Sequence, residues 1–230
     1  MAPNMARHSL TSTSCEPLSK VLCLLHSAAM PQLTLFGTLT SPYVRRVRIV
    51  LRELGVEATW VDTTTDAGQA ELRASNPLWK IPALSLDGQL VLDSAVINRV
   101  LLKQLGPGPL APYDESELDA VNLVTIIDGA LDALINTMYL GKDGITPAKA
   151  PYLQKHLDRA AASMKWLDAR IQGPLLTKAQ NFGLPEIALV TTAQWARFRN
   201  MYDIDQHSNI AACVAEHLKR PSVRDTEPPQ

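Results

Sequence analysis

The chain has 230 residues, 46% of them hydrophobic, and a formal net charge of −1. That make-up fits a globular protein with a sizeable core and leaves no basic surplus for neutralising a run of phosphates, so nucleic acid is not an expected partner. Cys15, Cys23 and Cys213 form no Cys-x-x-Cys pair and the five histidines are scattered, which argues against a disulfide framework and a protein metal site and fits a reducing cytoplasm.

Residues 1–30 are rich in Ser and Thr, with one short apolar run from Val21 to Leu25. That run is shorter than the centre of a secretory signal. The stretch reads as a disordered extension, or as an upstream start with Met30 as the true first residue; a targeting segment is the alternative. No apolar run in the chain is long enough to cross a bilayer.

Regular structure becomes legible at Gln32. Leu33 to Phe36 is a short strand, and Ser41-Pro42 opens a helix running to Leu54. Ser fits the N-cap, and Pro fits the first helical position, where its missing N–H is harmless. Val44, Val47, Leu51 and Leu54 share one face, and Gly55 ends the helix by permitting a left-handed backbone. Arg45, Arg48 and Arg52 share another face, expected to be solvated, with a subunit contact or an anion patch as the alternatives. Thr59 to Val61 is a second strand and Ala67 to Ala74 a short polar helix. Ile81 to Leu86 and Gln89 to Leu92, joined by Asp87-Gly88, form a hairpin, because both turn residues tolerate positive φ. Asp93-Ser94 opens a further helix ending near Gly106.

A Gly/Pro-rich linker then runs from Gly106 to Pro112, and only helices follow: Glu117 to Tyr139, Ala148 to Ile171, Glu186 to Arg199 and Ile210 to Leu218. The expected domains are 31–107, a small mixed sheet with helices on it, and 114–226, all helical.

Three elements carry chemistry. Ser41 sits at a helix N-terminus, where unpaired N–H groups and the helix dipole favour an anion; a thiolate there would be stabilised. The bland alternative is a plain cap. Ile81-Pro82 begins a strand, and a cis bond there would turn the Ile81 amide and carbonyl outward to pair with a peptide-like ligand; a trans proline at a sheet edge is the alternative. Asp93-Ser94 offers an ammonium site beside a carboxylate site, or simple capping.

In combination, Thr40-Ser41-Pro42-Tyr43-Val44-Arg45-Arg46-Val47-Arg48, Asn76-Pro77-Leu78-Trp79-Lys80-Ile81-Pro82-Ala83-Leu84 and Leu92-Asp93-Ser94-Ala95-Val96-Ile97 resemble the N-terminal pattern of the glutathione S-transferase superfamily. Asp128 to Ala133 and Lys219-Arg220-Pro221-Ser222 look like segments of its bacterial, serine-type members. The resemblance implies a thioredoxin-like N-terminal domain with a mixed four-stranded sheet, followed by an all-α C-terminal domain. It implies a cytoplasmic homodimer that uses glutathione as co-substrate, needs no metal, and joins it to a small-molecule electrophile in a detoxification-type reaction. By the same resemblance Ser41 would address the thiol, with Thr40 or Tyr43 next in line. Ile81 would pair with the cysteinyl unit ahead of a cis Pro82, Asp93 and Ser94 would hold the γ-glutamyl end, and Lys80 would reach the glycine carboxylate. Tyr43, Met138 and Tyr139 would line the electrophile pocket, apolar packing being the alternative for the last two.

Some positions depart from the pattern. Phe36 stands where tyrosine-type members carry their hydroxyl, and Ser-Pro-Tyr-Val replaces the glutaredoxin Cys-Pro-Tyr-Cys, which makes dithiol exchange an unexpected activity. The Ser/Thr-x-x-Asp box of the core helix is Gly183-Leu184-Pro185-Glu186, and glycine has no capping side chain. Trp79 replaces a smaller residue beside Lys80. Trp195 and Cys213 are expected in the core. Two other readings remain at this point: a glutathione-dependent isomerase or dehalogenase, whose isomerase type carries Cys where Tyr43 stands, and a non-catalytic binding protein on the same fold.

Overall fold

The computed structural model describes residues 30–176 and 181–229, and the described residues from 32 onward belong to one compact unit. The expected extension, with Cys15 and Cys23, lies outside the described residues.

Strand β1 (Leu33–Gly37) leads into helix α1 (Pro42–Leu54), then β2 (Thr59–Asp62), α2 (Asp66–Ser75), β3 (Ala83–Leu86), β4 (Gln89–Leu92) and α3 (Ser94–Leu105). The sheet order is β2-β1-β3-β4, with β1 parallel to β2 and both β3 contacts antiparallel. A parallel pair needs a crossover, and α1 supplies it. The Asp87-Gly88 turn has φ of 49° and 81°, the positive values a two-residue hairpin demands. Gly37 ends β1 where a Cβ would lie 2.6 Å from a Val44 methyl, so only glycine lets the start of α1 approach so closely.

The helical half comprises α4 (Leu118–Lys142), α5 (Pro151–Asp168), α6 (Leu184–Phe198), α7 (Ser208–His217) and the short α8 (Pro221–Arg224), which the sequence pattern did not reveal. Helix α4 packs most extensively on α5, and α6 is buried along most of its length. One continuous core joins the halves: Val47 and Val50 of α1, Leu131 and Leu134 of α4, and Leu189 and Val190 of α6. Trp195 and Cys213 lie in that core as anticipated. Burial pushes the Cys213 thiol up to about 12, with the Glu186 charge adding to the effect.

Two expectations change. The arginine face of α1 is not simply solvated. Arg45 is buried and donates to the Val223 carbonyl at 2.9 Å and the Thr226 hydroxyl at 3.3 Å. Arg48 donates to the Thr226 carbonyl, and Arg52 lies 3.7 Å from Asp225. The face grips the C-terminal segment, whose folding back a local pattern cannot reveal. The start of α6 is also secured without a Ser or Thr. The fully buried Glu186 carboxylate accepts from the Gly183 amide at 3.0 Å and the Leu176 amide at 2.9 Å. A Cβ at Gly183 would meet Ala111 Cβ at 3.1 Å, so a side chain there would crowd Ala111.

Candidate active site

Register fixes where the three chemical elements meet. Phe36 of β1 pairs with Ala83 of β3, and Ala83 pairs with Leu92 of β4. The end of β1, the start of β3 and the end of β4 therefore lie in one row at one end of the sheet. Ser41, Ile81-Pro82 and Asp93-Ser94 extend from that row.

Ser41 caps α1: its Oγ accepts from the Val44 amide at 3.3 Å. An accepting hydroxyl keeps its own proton free to donate. Pro42 has no N–H, and the Tyr43 amide finds no acceptor among the described residues, so the helix start retains a free donor in the positive end of the dipole.

The Ile81–Pro82 bond is cis, and β3 begins only at Ala83, two residues later than the sequence pattern suggests. The Ile81 amide and carbonyl have no partner among the described residues, although the residue is half-buried. The preceding loop is braced by Asn76, a fully buried side chain whose Nδ2 donates to the Lys80 carbonyl at 2.8 Å and whose Oδ1 accepts from Leu78 N at 2.9 Å. A buried polar group needs hydrogen-bond partners, and here both are backbone groups. Lys80 is exposed at the loop's end. Trp79, with φ 54°, points outward under the Arg73 guanidinium rather than inward.

Asp93 caps α3, accepting from Ala95 N at 2.8 Å, and holds φ at 71°, a value costly for any residue but glycine. It is exposed, whereas Ser94 is buried and its hydroxyl has no partner among the described residues.

Tyr43 reaches across to the helical half and donates its hydroxyl to Asp132 of α4. Its ring lies 5.0 Å from the guanidinium of Arg46. Burial, then the hydrogen bond to and charge of Asp132, push the phenol well above its ordinary value, so it stays protonated. Arg46 is itself buried. It pairs with Asp128 and donates to the hydroxyls of Thr191 at 3.2 Å and Thr192 at 3.1 Å. Burial raises Asp128 against the pull of Arg46, and the Asp93 and Asp132 charges add to that rise. Asp128 and Asp132 thus stand one turn apart on α4, facing the start of α1; the sequence marked them only as part of the family-like segment Asp128 to Ala133, without a role. Tyr139 shares Asp132's face two turns further on, about 10 Å by helical rise. It is exposed, with the Lys142 ammonium 5.2 Å from its ring. Met138 turns toward the core. Neither is hydrogen-bonded to Tyr43. Among the described residues no cluster of three metal-ligating side chains gathers, and no helix is long and apolar enough to cross a membrane.

The fold is that of a thioredoxin-like domain with an appended helical region. The chain is similar to the glutathione S-transferase superfamily: residues 35–109 match the family model for the glutathione S-transferase N-terminal domain. An uncharacterized GST-like protein of Escherichia coli K12, YibF, is 26% identical over 85% of this chain and 98% of its own. A glutathione S-transferase of Methylobacillus flagellatus, crystallised with glutathione, is 26% identical and superposes with a TM-score of 0.76 over 86% of this chain and all of its own. A glutathione transferase family member of Pseudomonas fluorescens Pf-5 with bound glutathione is 28% identical, with a TM-score of 0.70 over 86% of this chain and 100% of its own.

Proposed function

We propose that this protein is a serine-type glutathione transferase that conjugates the glutathione thiolate to small electrophiles. The observation that carries the reading is the Phe36–Ala83–Leu92 row, which aligns a helix-capping hydroxyl, an unpaired Ile81 backbone and the Asp93-Ser94 pair at one sheet end. Those three features suit the three parts of glutathione in order. Ser41 and the α1 amides would stabilise the sulfur as thiolate, lowering a thiol whose free pKa is about 8.5. Ile81 would pair with the cysteinyl amide and carbonyl as one added strand residue. Ser94 would take the γ-glutamyl carboxylate and Asp93 its ammonium, with Lys80 placed for the glycine carboxylate. The thiolate then attacks an electrophilic carbon held against Tyr43 and α4, and proximity supplies much of the rate. The solved relatives with bound glutathione support the co-substrate. The reading extends to a homodimer in the cytoplasm, which sedimentation and fractionation would check.

The test is calorimetric titration with glutathione, followed by turnover of 1-chloro-2,4-dinitrobenzene. Binding with turnover that exceeds the uncatalysed rate supports the reading. Binding without turnover of any aryl or alkyl halide supports a binding protein instead. Absence of binding at millimolar glutathione overturns it.

A further inference from the structure

Resting on that reading, we infer that Asp132 makes the electrophile site selective for neutral or cationic substrates and excludes anionic ones. Tyr43 follows Ser41 by two residues, and its hydroxyl is held by Asp132, so this carboxylate stands beside the space the sulfur's partner must occupy. Asp132 is exposed, only its Oδ1 is engaged, and no Lys, Arg or His lies within 4.0 Å of it among the described residues. The nearby cation, Arg46, is buried and committed to Asp128 and two threonine hydroxyls. The tyrosine, kept protonated and already donating, offers an incoming carboxylate no hydrogen bond. Asp93 adds a further negative charge on the same side. A substrate carboxylate would therefore meet uncompensated like charge, whereas a hydrogen-bond donor or ammonium could use the open Asp132 Oδ2.

The reaction itself is unchanged by this selection. For an aryl chloride the sulfur forms the new bond to carbon, chloride leaves with the electron pair of the broken bond, and the thiol proton passes to solvent. The selection does oppose an isomerase acting on dicarboxylates.

Binding of two ready-made conjugates, S-benzylglutathione and S-(4-carboxybenzyl)glutathione, tests the inference on the full-length protein without relying on turnover. At a separation of about 6 Å and an effective dielectric near 40, like charge weakens binding about tenfold. The wild type should bind the carboxylated conjugate about tenfold more weakly, and Asp132→Asn should bring the two dissociation constants within about threefold. Tyr43→Phe, which keeps the charge, should retain the wild-type ratio. Raising salt from about 0.01 M to about 0.5 M should shrink the wild-type ratio without any substitution. A wild-type ratio near one, or a tenfold ratio that survives both Asp132→Asn and high salt, overturns the inference while leaving the proposed function intact. Failure of glutathione and both conjugates to bind removes the function and this inference together.

Discussion

In the N-terminal half, the groups proposed to meet a ligand, side chain and main chain alike, are set by local rules: a Ser-Pro helix start, a cis proline ahead of a strand, an Asp-Ser helix start. Where the helical half meets α1, the polar groups are side chains whose partners lie 82 to 145 positions away, as in Tyr43 with Asp132, Arg46 with Asp128 and Arg46 with Thr191. The first kind of site is specified by neighbours in sequence. The second exists only once the halves have docked, so it can vary from relative to relative without disturbing the first. A fixed tripeptide end and a variable electrophile end are what that division would produce.

The sharpest way to break the comparison is to pull the bolt between the halves. Arg46→Met leaves Asp128 without its partner and two buried threonine hydroxyls without a donor. Removing one member of a buried pair costs about 3–5 kcal/mol, so the urea midpoint should fall by a large fraction of total stability. A loss below about 1 kcal/mol would show that the halves are held by apolar packing alone. Ser41→Ala acts on the other side of the comparison. Loss of a single positioned donor lowers turnover about a hundredfold, and loss of the cap costs about 1 kcal/mol of stability. The rate should then climb with pH toward the free thiol's value of about 8.5, instead of levelling off near neutrality. An unaltered pH profile would pass the role to Thr40 or to the Tyr43 amide.

A third prediction belongs to the helical half alone. His217 is buried, donates to the Pro174 carbonyl at 2.6 Å, and is held below its ordinary pKa, chiefly by burial. Its folded pKa lies below the unfolded value of about 6.5, so the unfolded chain takes up the proton first. Its share of stability is complete above about pH 6.5 and is lost as pH falls below that value. Urea unfolding at a series of pH values should show that decline, and His217→Gln should flatten it. The N-terminal half has no described histidine and should add nothing to this slope.

The same division explains what could be read in advance. The strands, the hairpin and the three elements at Ser41, Ile81-Pro82 and Asp93-Ser94 were legible because caps, turns and period-two patterns are properties of a few adjacent residues, whereas their alignment in one row came only with the strand register. The Asp128–Arg46 and Asp132–Tyr43 pairs were not, because nothing in a helix's own sequence says which distant side chain faces it. The C-terminal return onto Arg45 was hidden for the same reason: an arginine stripe looks identical whether water or a backbone carbonyl accepts its protons. Asn76 sat in plain view beside a proline, yet its burial, which gives it its task, appears only in three dimensions.

Asp93 gives the finest test, because there the demands of folding and of binding point in opposite directions. The residue holds φ at 71°, a backbone state that penalises L-residues by about 1–2 kcal/mol relative to glycine. Its cap on Ala95 N returns only a few tenths of a kcal/mol when glycine is the alternative. Asp93→Gly should therefore leave stability unchanged or raise it by up to about 1 kcal/mol, as read from thermal unfolding. Glutathione should bind about tenfold more weakly, because the ammonium loses its charged partner. If affinity holds while stability rises, the strained aspartate has no binding role, and the γ-glutamyl end must be held by Ser94 and the start of α3 alone.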